Sequence, residues 1–328
     1  MPPSDYGAPA GDPELREAIA GYLRRWRGVA CGAGDVVVTA GAIQAVDLIA
    51  RAIIEPGDTV GFEEPGYPLA RQALQARGAK LLPVQVNHDG MQVDLIPSGP
   101  GAPIFVYVTP SHQYPLGARM PVGRRMALLE WARANDALVV EDDYDSVFRF
   151  DAPPLQALAG LDDGGRVAYI GTFSKVLSPA LRVGYLVVPP PLRERVEHFK
   201  RISDFHASWP LQRALPAFVR EGHLERHIRR MRRHCGDKRQ ALSATLAPVS
   251  DVARPRGLEA GLHEFLELDA TVDPVPLSRA GRDRQHRPPV LHARQRPGLL
   301  LGYGGLTIDE INAGGRVLAA TIRAAAAG

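Results

Sequence analysis

Cysteine is nearly absent from these 328 residues: Cys31 and Cys235 are far apart and neither lies in a CxxC or Cys/His spacing. That excludes a disulfide scaffold and a sulfur-ligated zinc site, and it fits a reducing compartment. An excess of one charge sign is missing too. The 39 Lys+Arg and 36 Asp+Glu leave +3, too little to call for a nucleic acid or a membrane surface as partner. The first residues, Met-Pro-Pro-Ser-Asp-Tyr, lack the basic-then-apolar pattern of a secretory signal, and no uninterrupted apolar run reaches spanning length. A cytoplasmic location is expected. Lysine is the scarcest charged residue: Lys80, Lys175, Lys200 and Lys238 make four, against 39 − 4 = 35 arginines. Arginine stays charged near neutral pH, whereas a desolvated lysine can act as a neutral amine. Any amine chemistry in this chain therefore falls on very few residues.

What is present reads as an ordinary globular protein, with 45% apolar and 23% charged residues. Its length exceeds what one core holds, so two lobes are expected. Through the first two hundred residues, short apolar strands alternate with amphipathic helices. Helical patterns cover residues 13–27 (behind an N-cap at Asp12), 42–54, 67–77 and 122–135. Strand patterns cover 35–39, 59–62, 80–86, 104–108, 137–140, 167–171 and 183–188. Such alternation predicts an α/β fold with a mostly parallel sheet, covered on both faces, and ligands at the carboxyl ends of its strands. Residues 191–246 read as helical and arginine-rich; a solvated helix face outweighs a nucleic-acid surface there. Residues 261–268 and 298–303 read as strands of a small C-terminal α/β lobe. The expected division is an N-terminal segment and helix (1–30), a large domain (31–210), then a helical connection and small domain (211–328). Residues 274–296 have no hydrophobic period and are rich in Arg, Pro and His, as expected of a locally frame-shifted or disordered patch.

Lys175 stands out among the four lysines. It ends Gly171-Thr-Phe-Ser-Lys175, where an apolar strand runs into a hydroxyl-rich turn, with Arg182 and a second apolar run beyond. Other polar clusters fall at strand ends as well. Thr39-Ala-Gly41-Ala42-Ile43 is a strand-to-helix turn whose free N–H groups suit a phosphate. Glu64-Pro-Gly-Tyr67 places an aromatic in a turn, and Thr109-Pro-Ser-His112-Gln113-Tyr114 is a loop dense in hydrogen-bonding groups. Glu141-Asp142-Asp143-Tyr144-Asp145 sets acids at the end of a buried strand, where they need a cation or a metal. Two chemistries suit them. One is Mg²⁺ for phosphoryl transfer, although no GxxxxGK[ST] accompanies them. The other is a protonated heterocycle nitrogen held by one carboxylate, with Tyr144 on a neighbouring oxygen. The second also gives Lys175 a role, as the amine that forms an imine with pyridoxal phosphate.

Taken in order, Tyr6-Gly-Ala-Pro-Ala-Gly11, Glu64-Pro-Gly-Tyr67, Thr109-Pro-Ser-His-Gln113, Glu141-Asp-Asp-Tyr-Asp-Ser146 and Gly171-Thr-Phe-Ser-Lys175 with Leu181-Arg182 resemble the aminotransferase-like domain of MocR-type regulators. That family belongs to the fold-type I pyridoxal-phosphate enzymes, and the resemblance runs from about Tyr6 to Gly305. It implies Lys175 as the cofactor-bonding lysine, Asp142 on the pyridine nitrogen, Tyr144 on the phenolic oxygen and Tyr67 against the ring. It places Gly41, Ala42, Ile43, Thr172 and Arg182 around the phosphate, where the hydroxyl-rich turn also puts Ser174, and His112 and Gln113 near the phenolic oxygen, with two copies in a homodimer. No metal is implied.

Two departures bear on function. MocR-type regulators carry an N-terminal winged helix-turn-helix, and this chain begins directly at the catalytic-type domain, so no nucleic-acid binding by the chain itself is expected. Aminotransferases of this fold also usually place an arginine for the substrate carboxylate just before a Gly-aromatic pair on a late strand. Here Leu299-Leu300-Leu301-Gly302-Tyr303 has leucine throughout, so a substrate carboxylate lacks its bidentate partner unless Arg296 or another arginine substitutes. The expectation is transamination of an amino acid or amine. The alternative is a pyridoxal-phosphate- or amine-sensing domain without efficient turnover.

Overall fold

The computed structural model describes residues 6–150, 156–257, 260–272, 290–293 and 296–327. The strands are β1 (Val36–Thr39), β2 (Thr59–Glu64), β3 (Lys80–Asn87), β4 (Gly90–Met91), β5 (Phe105–Val108), β6 (Leu138–Asp143), β7 (Val167–Thr172), β8 (Gly184–Val187), β9 (Ala253–Arg256), β10 (His263–Leu268), β11 (Val290–Ala293) and β12 (Arg296–Gly302). The α-helices are α1 (Pro13–Arg27), α2 (Ala42–Ile53), α3 (Pro68–Gln75), α4 (Val122–Ala134), α5 (Leu158–Leu161), α6 (Arg193–Asp204), α7 (Trp209–Arg220), α8 (His223–Leu246) and α9 (Ile308–Ala327). No helix among the described residues is long and apolar enough to cross a membrane.

The chain divides into two compact units. The first comprises Met1–Tyr114, Arg119–Ser146 and Pro154–His227, and the second Pro115–Ala118, Val147–Pro153 and Ile228–Gly328. In the first unit eight strands form one sheet in the order β1-β8-β7-β6-β5-β2-β3-β4. The pairs β3/β2, β2/β5, β5/β6 and β6/β7 are parallel, as the alternation with helices predicts. The pairs β7/β8 and β8/β1 are antiparallel. The reason is the connection: a parallel return needs a crossover helix, and the short β7–β8 link holds only turns and one 3₁₀ turn at Pro179–Leu181. Lys175 therefore sits on a reversal between neighbouring strands, not on a strand-to-helix turn.

Successive side chains on a strand face opposite ways, and both faces of this sheet are covered. One face packs Phe62, Tyr107, Val140 and Ile170 against Ala45, Ile49 and Ala52 of α2 and Leu74 of α3. The other packs Val106, Val108, Val139 and Val167 against Leu128, Leu129 and Trp131 of α4 and Leu158 of α5. α1 begins as its cap residue requires, with the Leu15 N–H donating to Asp12 Oδ1 at 3.0 Å. The helical stretch that follows β8 breaks into α6, α7 and α8. Phe205, at φ 62°, ends α6 in a γ-turn in which the His206 N–H donates to Asp204 O at 2.7 Å.

The second unit is an antiparallel sheet in the order β11-β12-β10-β9. Leu266, Leu268, Leu299 and Leu301 meet Leu242 and Leu246 of α8 and Ile311 and Ile322 of α9 in its core. Of residues 274–296, 274–289 and 294–295 lie outside the described residues. The backbone of Val290–Ala293 pairs with β12.

Candidate functional site

β2, β5, β6 and β7 run parallel, so their carboxyl ends share one edge of the sheet. Asp142 and Asp143 end β6 beside Ile170 and Gly171 of β7. As neighbours on a strand they face opposite ways. Asp142 shares the α2 face with Tyr107, and the Tyr107 hydroxyl donates a short hydrogen bond to its Oδ2. Asp142 Oδ1 is buried and has no hydrogen-bond partner among the described residues. Burial pushes this carboxyl up to about 7; the Tyr107 hydrogen bond pulls it down, and the charges of Asp143, Asp145 and Glu141 push it up again.

On the opposite face Asp143 meets Arg27, from the end of α1, with Nε 2.8 Å from Oδ2 and both side chains almost wholly buried. The Tyr169 hydroxyl donates to the same oxygen, and Arg27 Nη2 donates to Ser111 Oγ at 3.0 Å. Glu141 caps α5, accepting from the Leu158 and Ala159 N–H groups at 2.9 and 2.8 Å. His112 Nδ1 lies 2.9 Å from Asp145 Oδ2 and 3.0 Å from the Tyr144 hydroxyl. The structure thus ties Tyr144, His112 and Asp145 together. Burial, and then the charge of Asp145, raise the Tyr144 phenol well above its usual range, so it acts there as a neutral hydroxyl.

Tyr67 is half-buried just before α3, with its ring edge-on to Tyr114 at 5.3 Å; Tyr114 in turn is edge-on to Tyr144 at 6.3 Å. Gln113 directs its amide nitrogen into the loop after β2. It donates to Glu63 Oε2 (3.2 Å), Pro65 O (2.8 Å) and Tyr114 O (2.6 Å). Glu63 also accepts from Thr109 Oγ1 at 2.6 Å, and burial holds its carboxyl up at about 7 against those bonds.

The Gly41 turn forms the other part of the edge. Gly41 has φ +98°, and a Cβ there would lie 2.6 Å from Arg182 Nη2, so only glycine fits. Behind it the N–H groups of Ala42 and Ile43 open α2, where backbone donors have no intrahelical partner. Arg182 donates to Ala40 O at 2.9 Å. Thr172 Oγ1 accepts from the Ser174 N–H at 3.1 Å, and Ser174 Oγ is buried with no partner among the described residues. Lys175 is exposed, on the turn closed by the Leu177 N–H to Phe173 O bond at 2.8 Å.

All twelve candidate residues named from the sequence fall in the first unit. Three buried groups around them, Tyr107, Glu63 and Arg27, were not among those candidates. Tyr107 had one local signal, an odd-even phase on β5 that puts it on the α2 face two residues before Thr109. Glu63 and Arg27 had none, because their partners lie 46 and 116 residues away. In the second unit Leu299, Leu300 and Leu301 are buried in β12, and the Arg296 side chain lies outside the described residues.

Residues 4–266 match the family model of aminotransferase class I and II. The probable rhizopine catabolism regulatory protein MocR of Rhizobium meliloti is 40% identical over 316 residues, covering 90% of this chain and 61% of the relative. Aromatic-amino-acid aminotransferase 1 of Thermococcus litoralis is 32% identical over 276 residues, 82% of this chain and 66% of that enzyme. The chain thus spans about three-fifths to two-thirds of the length of these curated relatives. Among solved structures, the kynurenine aminotransferase of Pyrococcus horikoshii superposes with a TM-score of 0.90 at 28% identity, covering 98% of this chain and 82% of that one.

Proposed function

Since the chain belongs to the aminotransferase class I and II family, we propose that its first unit holds pyridoxal phosphate at the Lys175–Asp142 edge and transfers the amino group of an amino acid or amine. The observation that carries this is the Asp142 carboxylate, buried with Oδ1 lacking a partner among the described residues. A buried acceptor of this kind fits a protonated ring nitrogen. The remaining groups fit the cofactor's phosphate. Gly41 leaves a cradle that a Cβ would fill, Ser174 Oγ is a spare buried donor, and Arg182 stands over the Gly41 turn.

When bound, pyridoxal phosphate supplies an electron sink for charge developing on the substrate's Cα. The chain's own groups do the rest. Asp142 Oδ1 keeps a proton on the ring nitrogen by offering it a buried negative charge. Lys175 Nζ would hold the cofactor covalently and, as a neutral amine, would take and return the proton at the substrate's Cα. The neutral Tyr144 hydroxyl would donate to the phenolic oxygen, and Tyr67 would lie against the ring. The N–H groups of Gly41, Ala42 and Ile43, with Thr172, Ser174 and Arg182, bind the phosphate. A homodimer in the cytoplasm, as the resemblance implies, belongs to the same proposal.

A second reading is favoured by Leu299, Leu300 and Leu301, which fill the positions just before Gly302-Tyr303 where the carboxylate-binding arginine is expected, and by the 40% identity to a regulatory protein. On that reading the domain binds the cofactor and an amine but turns over poorly. Borohydride reduction of the protein mixed with pyridoxal phosphate, followed by peptide mapping, tests the shared core; the label is expected on Lys175. Label on Lys80, Lys200 or Lys238 instead overturns the site. Steady turnover of an amino acid with a 2-oxo acid supports the enzyme, and cofactor binding without turnover supports the sensor.

A further inference from the structure

Tyr107 is 1% exposed, with its ring stacked on Phe62 at 5.2 Å and 9° between planes. Phenylalanine would pack there equally well, so the hydroxyl needs a separate reason. Its hydrogen bond goes to Asp142 Oδ2, from the neighbouring strand on the same sheet face. We propose that Tyr107 is a positioning residue: its hydroxyl fixes the rotation of the Asp142 carboxylate, so that Oδ1 alone is presented to a ligand. This rests on the reading of Asp142 as the partner of the cofactor's ring nitrogen.

Three observations carry the proposal. Tyr107 is the sole hydrogen-bond donor to Asp142 among the described residues, and the other oxygen has no partner there. A carboxylate held at one oxygen and bare at the other has a single direction in which to accept a proton donor. The nearest acids, Glu141, Asp143 and Asp145, oppose ionisation of Asp142, and burial opposes it further; the Tyr107 bond is the largest influence favouring the charged form. Asp143, one residue on, also accepts from a phenol, Tyr169, but has a guanidinium beside it, whereas Asp142 has no ion pair among the described residues. A phenol orients and stabilises the carboxylate without neutralising it, and so leaves charge for an incoming cation.

The test begins on the cofactor-free protein. Aspartate labelled with carbon-13 at Cγ is titrated by NMR, with the Asp142 resonance assigned by its loss in Asp142→Asn. Tyr107→Phe is expected to move that titration upward by about one to two pH units, because a hydrogen bond to a charged group is worth about ten- to a hundredfold in an equilibrium. A fluorotyrosine at 107, which keeps the ring's shape and donates more strongly, is expected to move it downward. If neither variant shifts Asp142, or both shift it the same way, the proposal is overturned. Should the Phe variant fail to fold, the fluorotyrosine protein alone decides. In a second arm, Tyr107→Phe weakens pyridoxal phosphate binding about tenfold in the wild-type background and adds nothing to Asp142→Asn. An equal loss in both backgrounds overturns the route through Asp142. Absence of cofactor binding by the wild type sinks the proposed function instead, and the titration still judges Tyr107.

Discussion

Replacing Arg27 by methionine should destabilise the first unit far more than removal of an ordinary ion pair. Arg27 and Asp143 lie 2.8 Å apart with side chains 4% and 2% exposed, and Arg27 also donates to Ser111 Oγ at 3.0 Å. Breaking a pair this deep leaves a buried carboxylate without its cation, a loss of about 3–5 kcal/mol, against about 0–1 kcal/mol for an exposed pair. The three tryptophans, Trp26, Trp131 and Trp209, all lie in the first unit, so their fluorescence reports its unfolding. With a urea slope of about 2–3 kcal/mol/M, the midpoint should fall by about 1–2 M. The double variant Arg27→Met/Asp143→Asn should regain most of that loss. Its amide still accepts from Tyr169, and no charge is left buried. A single variant that loses less than about 1 kcal/mol, or a double variant as unstable as the single, would refute the view that Asp143 is held chiefly by its cation.

Gly41→Ala should cut pyridoxal phosphate affinity at least tenfold and cost about 1–3 kcal/mol in stability, since the added Cβ meets Arg182 at 2.6 Å and the backbone is at φ +98°; unchanged affinity by equilibrium titration counts against the phosphate cradle. The Glu63 carboxyl, held at about 7 by burial, binds a proton in the folded state from its ordinary value of 4.5 upward to about 7, where the unfolded chain has lost it. Its contribution therefore falls as pH rises through that window, by about 1.4 kcal/mol per unit, and is flat above it. Glu63→Gln, whose amide oxygen can keep the Thr109 and Gln113 bonds, should be more stable than wild type at pH 8 and lose the advantage by pH 5; a pH-independent difference in urea midpoints refutes this. Leu300→Arg should be tolerated better than Leu299→Arg or Leu301→Arg in a thermal melt, because Leu299 and Leu301 face the α8–α9 core and Leu300 does not. If the lack of a carboxylate anchor limits turnover, the same Leu300 variant gains activity toward a 2-oxo acid, and no gain sets that cause aside.

The signals readable in the chain were local ones. The Asp12 cap and the proline after it mark where α1 starts, and hydrophobic period marks the length of α2 and α4. The polar ends of β5, β6 and β7 were visible as breaks in apolar runs, which is why the candidate residues fall on one edge of one unit. What stayed hidden depends on which strands become neighbours. The apolar run of β8 looks the same whether it pairs parallel or antiparallel, and only the missing crossover helix before it decides. The acid cluster of β6 reads as four similar carboxyls in sequence. The fold makes them different: Glu141 caps a helix, Asp143 meets an arginine, Asp145 meets a histidine and Asp142 meets a phenol. Each partner comes from 17 to 116 residues away, beyond the reach of any periodic pattern.

That difference in partners separates Asp142, the acid proposed to meet the cofactor, from its neighbour. Asp142 and Asp143 are adjacent, similarly buried and opposite in direction, so burial alone cannot separate them. The charge of the partner does. Oδ1 of each lacks a partner among the described residues, but a guanidinium offsets the charge of Asp143, whereas the Tyr107 phenol satisfies one oxygen of Asp142 and cancels none of its charge. In the protein alone the remaining cost is met by holding a proton up to about pH 7. A ligand bearing its own proton on a ring nitrogen relieves that cost without displacing any contact among the described residues. The same arrangement would serve either proposed reading, catalysis or sensing, because both begin with that cation in place. The distinction between them must therefore arise at groups that touch the substrate, and not at the acid.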